Sequence, residues 1–107
     1  MTDKTVLIVE DDKSLGQALA DTLELAGLQP IHVTDGQAAL NILAHQEVMV
    51  VVSDVQMKPM DGFALLENIR KRFTSIPVIL MTAFATVERA VSAMHMGAVD
   101  YLVKPFE

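Results

Sequence analysis

The stretch VVVSDVQMKPMDG, residues 50–62, decides how the chain is read. It opens on an unbroken apolar run and breaks abruptly into a carboxylate, Asp54. A loop follows with two methionines, a proline and an Asp-Gly pair that reads as a turn. A run with no polar alternation reads as a strand covered on both faces, as in a parallel sheet. The acid at its end is then either a turn former or part of a site beyond the strand's carboxyl end.

Similar short runs occur elsewhere: TVLIV (5–9), QPIHV (29–33), VMVVVS (48–53, overlapping the first stretch), PVILM (77–81) and AVDYLV (98–103). Amphipathic segments lie between them. Leu15, Leu19, Leu23 and Ala26 share a helical face, with Ser14 as the expected N-cap and Gly27 as the expected stop. Ala39, Leu40 and Leu43 mark a second helix. Leu65, Leu66, Ile69 and Phe73 mark a third. Val87, Ala90, Val91 and Met94 mark the inward face of a fourth, between Thr86 and Gly97.

This βαβαβαβαβ alternation predicts an α/β fold, a doubly wound five-stranded parallel sheet with helices on both faces. Pro30 cannot donate a ladder hydrogen bond, which places the second strand at an edge and favours the order 2-1-3-4-5 over 1-2-3-4-5. The chain stops just after the fifth strand, so the final helix that should cover one face is missing. We therefore expect residues 1–107 to be one domain, a fragment of a longer multidomain protein.

The 107 residues fit a single globular domain with a real core, 51% hydrophobic and 21% charged. There is no cysteine, which excludes disulfides and thiolate metal sites. The net charge of −6 argues against direct nucleic-acid contact by this domain. No apolar run approaches the ~20 residues of a membrane span, and the N-terminus lacks an apolar signal region. A cytoplasmic location is expected.

In the predicted topology the strand ends converge. The first strand leads into Glu10, Asp11 and Asp12, the third into Asp54, the fourth into Thr82 and the fifth into Lys104. Crowded carboxylates raise one another's pKa, and a hard cation relieves them. An oxygen-only donor set suits Mg²⁺ or Mn²⁺. His32, His45 and His95 share no ligand spacing and read as ordinary surface or core residues.

The motifs LIVEDDKSL, SDVQMKPMDG, ILMTAF and DYLVKPF, in that order, resemble the receiver domain of two-component response regulators, which has a flavodoxin-like (CheY-like) fold. The similarity runs from about residue 5 to 106. The resemblance implies that Asp54 accepts a phosphoryl group from a sensor histidine kinase. It implies that Asp11, Asp54 and the backbone carbonyl of Gln56 ligate the metal, that Glu10 acts through a water, and that Asp12 is an outer acid. Thr82 is implied to hydrogen-bond the phosphoryl group and Lys104 to pair with it. Tyr101 is implied to be a switch aromatic coupled to Thr82, and Lys104–Pro105 to be a cis bond. Gln56 and Phe84 flank the expected water path that sets the phosphoryl lifetime.

Residues 81–107 look especially like receivers of the NtrC family of sigma-54-dependent transcription activators. That implies ATPase and DNA-binding domains in the parent chain and homodimerisation on activation. Met94, Met96 and Phe84 are candidates for an output surface, although core packing is the commoner role for methionines. The sequence departs from the family at Met57-Lys58-Pro59 and at Glu10, where Asp is commoner.

Such a domain is not a turnover enzyme, although it can dephosphorylate itself. The main rival is a degenerate receiver acting as a phosphorylation-independent interaction module. A dehalogenase-type phosphatase normally needs a second Asp where Gln56 stands. A flavin mononucleotide carrier needs a Ser-, Thr- or Gly-rich first loop where Glu10-Asp11-Asp12 stand.

Overall fold

The computed structural model of the chain describes residues 4–73, 75–83 and 86–104. The expected alternation is present: β1 (Thr5–Val9), α1 (Lys13–Leu25), β2 (Gln29–Val33), α2 (Gly36–His45), β3 (Val50–Asp54), α3 (Gly62–Arg72), β4 (Val78–Thr82), α4 (Val87–His95) and β5 (Asp100–Val103). The strands form one sheet in the order β2-β1-β3-β4-β5, and every pairing is parallel. Pro30 lies opposite Val6 on the edge strand, where its missing donor is tolerated.

The period-two direction of strand side chains sorts the core into two layers. Leu7, Val9, Val51, Val78 and Leu80 cluster with Ala39, Leu40 and Leu43 of α2, Leu65, Leu66 and Ile69 of α3, and Ala93 of α4. Val6 and Ile8 pack with Ala20 of α1 on the other face, with Leu19, Leu23, Val50 and Val52 partly buried around them. Leu7, Leu65, Leu66, Ile69 and Leu80 are fully buried, each contributing about 1.5–3 kcal/mol of transfer free energy. This larger layer anchors β1, β3 and β4, the strands whose ends carry the site.

Four local expectations are corrected. Asp12, not Ser14, caps α1: its Oδ1 accepts from the Leu15 N–H at 3.0 Å. Starting the helix at Lys13 sets Gly16 against the His32 ring, where an added Cβ would lie 2.1 Å from Nε2. Asp61-Gly62 is a helix start, with Asp61 capping α3 through the Ala64 N–H at 2.8 Å. The third helix ends before Phe73, which is its C-cap. The fourth helix does not bury the expected face: Val87, Val91 and Met94 are 77%, 49% and 50% exposed, and Ala93 is buried instead. An alanine lets the helix approach the sheet more closely than Val or Met does. The caps expected at Thr86 and the stops at Gly27 and Gly97 are found, both glycines having positive φ.

Candidate functional site

Parallel strands point their carboxyl ends the same way, so the residues that end them share one sheet edge. Asp54 is the last residue of β3 and Thr82 the last of β4. Glu10 follows β1 directly and is tied to the edge strand through Val33 O at 3.1 Å. Lys104 follows β5 and is tied to β4 through Thr82 O at 2.6 Å. Glu10, Asp54 and Thr82 are all buried, at 1%, 3% and 0% exposure.

Buried carboxylates need compensation, and Lys104 supplies it. Its Nζ lies 2.7 Å from Glu10 Oε1 and 3.0 Å from Asp54 Oδ1. The first contact is an aligned hydrogen bond. The second is a charge contact, Asp54 Oδ1 having no hydrogen-bond partner among the described residues. Burial works against the Lys104 charge, but the Glu10 and Asp54 carboxylates outweigh it and raise the ammonium pKa.

Asp11 is exposed beside them. Its pKa is raised, first by partial desolvation and then by the Glu10 carboxylate next to it. Oxygens of Glu10, Asp11 and Asp54 lie within 4.8 Å of one another. Three carboxylates (−3) against one ammonium (+1) leave a formal −2. That charge, the all-oxygen donors and the Asp54 Oδ1 that accepts no hydrogen bond among the described residues fit a hard divalent cation.

The other expected site residues fall as follows. Asp12 is occupied as a helix cap, while its own N–H reaches Glu10 Oε2 at 3.3 Å. Gln56 lies two residues past β3, and its side-chain Oε1 accepts from Thr82 Oγ1 at 2.9 Å. The sequence suggested only its backbone carbonyl and a place on the water path. This contact joins residues 26 positions apart and had no signal in the sequence. Tyr101 on β5 packs its ring against the larger core, with its hydroxyl buried. Phe84 and Pro105 lie outside the described residues, so the expected Lys104–Pro105 cis bond does too. A cis bond occurs at Lys58–Pro59, inside the loop that departs from the family pattern.

His32 donates from Nε2 to the Glu10 backbone carbonyl at 2.9 Å. His45 bonds Asn41 O, and His95 is exposed on α4. Met96 packs against the core, whereas Met94 is half exposed. A cavity of about 790 Å³ opens beside the site, lined by Asp11, Gln56, Met57 and Lys58 on one side and Glu88 and Arg89 of α4 on the other. Glu88 and Arg89 were not singled out from sequence.

The profile of the response regulator receiver domain matches residues 6–107. The chain belongs to this family. Among curated proteins this receiver is 54% identical to the response regulator protein FleR of Pseudomonas aeruginosa, over 95% of its own length and 22% of the relative's. It is 43% identical to the DNA-binding transcriptional regulator NtrC and 40% to the regulatory protein AtoC, both of Escherichia coli, with the same coverage. The receiver thus spans about a fifth of the length of these relatives, 22% in each case. Among solved structures it resembles the chemotaxis protein CheY4 of Vibrio cholerae, with a TM-score of 0.93 at 30% identity, covering 99% of this chain and 90% of that one. It also resembles the structure titled FixJ-N, with a TM-score of 0.90 at 36% identity, covering 100% and 86%.

Proposed function

We propose that this receiver takes a phosphoryl group onto Asp54 from a phosphohistidine of a sensor histidine kinase and passes the change to an output. The observation that carries the reading is the Asp54 carboxylate itself, buried at a strand end with Oδ1 lacking a hydrogen bond and Lys104 Nζ at 3.0 Å. An Asp54 oxygen attacks phosphorus. The new O–P bond forms as the N–P bond breaks, and the leaving imidazole nitrogen keeps the electron pair. Positioning and charge neutralisation supply most of the catalysis in such transfers.

Asp11, Asp54, the Gln56 carbonyl and, through a water, Glu10 would hold Mg²⁺ or Mn²⁺. Bound there, the cation supplies positive charge to the phosphoryl oxygens. Lys104 shifts from neutralising Glu10 and Asp54 to pairing with the phosphoryl group. The Thr82 hydroxyl donates a hydrogen bond to it. The phosphoryl group adds about −1.5 to −2 charges, which favours arrangements that bring Thr82 and Lys104 towards Asp54. The domain does not turn over a substrate, beyond hydrolysing its own phosphoryl group.

The exposed apolar side chains Val87, Val91 and Met94 on α4 and Val103 on β5 form the surface that carries the signal, with Tyr101 and Thr82 behind it. By analogy with FleR, NtrC and AtoC, the output is sigma-54-dependent transcription activation by ATPase and DNA-binding domains in the parent chain, with homodimerisation on activation, in the cytoplasm. No helix of the described residues is long and apolar enough to cross a membrane.

Incubation with acetyl phosphate and Mg²⁺ followed by intact-mass measurement tests the reading. One phosphoryl adduct, absent in Asp54→Asn, is expected. Equal incorporation in the variant overturns it, and no incorporation in the parent chain points to a phosphorylation-independent module.

A further inference from the structure

We propose that the Gln56 side chain is a latch on Thr82 that holds the site in its unphosphorylated arrangement and competes with the phosphoryl group for the Thr82 hydroxyl proton. The proposal rests on the phosphoacceptor reading above and deepens it by naming what the phosphoryl group must displace.

Thr82 Oγ1 donates to Gln56 Oε1 at 2.9 Å. A hydroxyl carries one proton and gives it to one strong acceptor at a time. The Thr82 hydroxyl therefore cannot serve Gln56 and a phosphoryl oxygen together. The backbone of Thr82 is pinned to β5, by pairing with Val103 and by the Lys104 N–H to Thr82 O bond of 2.6 Å. Gln56 sits in the loop past β3 and lines the open cavity. Its side chain is the one of the pair with open space beside it.

The carboxamide is held at one end only. Gln56 Nε2 is buried with no hydrogen-bond partner among the described residues, an arrangement that disfavours its own persistence. A swing into the cavity hydrates both ends of the amide. Gln56 thus makes the latch strong enough to order Thr82 and weak enough to release it. One neutral hydrogen bond biases the two arrangements by about 2- to 10-fold.

Binding of beryllium fluoride with Mg²⁺, followed by Tyr101 fluorescence, reads this equilibrium without turnover. The set is the parent chain, Gln56→Met, Thr82→Ala and the double variant, with Gln56→Ala as a second probe and circular dichroism to verify folding. The latch predicts that either Gln56 substitution tightens binding about 2- to 10-fold when Thr82 is present and not when residue 82 is alanine. An equal change in both backgrounds, no change, or weaker binding in the Thr82 background overturns the latch. If the parent chain gains no phosphoryl mass on Asp54 from acetyl phosphate, the phosphoacceptor reading falls and the latch with it. Phosphorylation with no Thr82-dependent effect of Gln56 removes the latch alone.

Discussion

Lys104 and Glu10, 94 positions apart in the chain, meet in a 2.7 Å hydrogen-bonded ion pair at the carboxyl edge of the sheet. The pair closes β5 onto β1 across the ends of β3 and β4. It also means that the ammonium expected to meet a phosphoryl group already neutralises buried acids in its absence. Lys104→Met should leave Glu10 and Asp54 uncompensated and lower stability by about 1–3 kcal/mol, less than for a fully buried pair because Lys104 keeps some contact with solvent. Denaturant melts at neutral pH check this, and an unchanged midpoint would mean that the two acids are compensated in some other way.

The same pair gives a pH dependence of defined sign. The folded pKa of Lys104 is raised above its ordinary 10.5. Its contribution is therefore fully present below pH 10.5 and is lost as pH rises through the folded pKa. Asp11, also raised, contributes in the acid range: stability falls as pH climbs from 3.8 through its folded pKa. Melts above and below pH 10.5 should show an alkaline loss in the parent chain that is smaller in Lys104→Met. An equal loss in both would assign the alkaline limb to other groups.

Asp11 and Asp12 have different jobs in this structure, and two alanines separate them. Asp12→Ala removes the cap on the Leu15 N–H and should cost about 0.5–2 kcal/mol of stability while Mg²⁺ still binds. Asp11→Ala should weaken Mg²⁺ binding at least tenfold with little loss of stability. Calorimetric titration and denaturant melts of both variants decide. Loss of Mg²⁺ binding in Asp12→Ala alone would move the metal ligand by one residue.

Gly62 is held against the backbone that carries Asp54. Its N–H donates to Val55 O at 2.9 Å, and a Cβ there would meet Asp54 O at 2.4 Å and Val55 Cα at 2.8 Å. Backbone atoms cannot yield as a flexible side chain does. Gly62→Ala should push the end of β3 out of place, lowering stability by roughly 1–3 kcal/mol and slowing phosphoryl uptake more than tenfold. A variant phosphorylated at the parent rate would show that Asp54 tolerates the shift.

The sheet order was legible because Pro30 confines β2 to an edge and the apolar runs lack alternation. The convergence of Glu10, Asp54, Thr82 and Lys104 followed from that order alone, since parallel strands deliver their ends to one edge. The inward face of α4 was not legible. Ala90 belongs equally to the face of Val87, Val91 and Met94 and to that of Ala93, and packing against the sheet chose the smaller residues. The cap of α1 was missed because Asp12 and Ser14 are both good caps. The Gln56–Thr82 bond depends on the course of the loop after β3, which sequence spacing does not encode.

Tyr101 offers a test of its placement that is independent of phosphorylation. Its ring packs against the larger core, and its hydroxyl is buried with no hydrogen-bond partner among the described residues. A buried hydroxyl that bonds nothing lowers stability relative to the same ring without it, because it has left water and gained no acceptor. Tyr101→Phe should therefore be neutral or stabilising by up to about 1 kcal/mol, against the usual trend for core substitutions. Where an aromatic hydroxyl bonds a partner or reaches water, the same change is neutral or destabilising. Urea unfolding of both proteins measures the difference. A loss of stability above about 1 kcal/mol would mean that the hydroxyl has an acceptor in solution, and that the ring spends its time in a position other than the inward one.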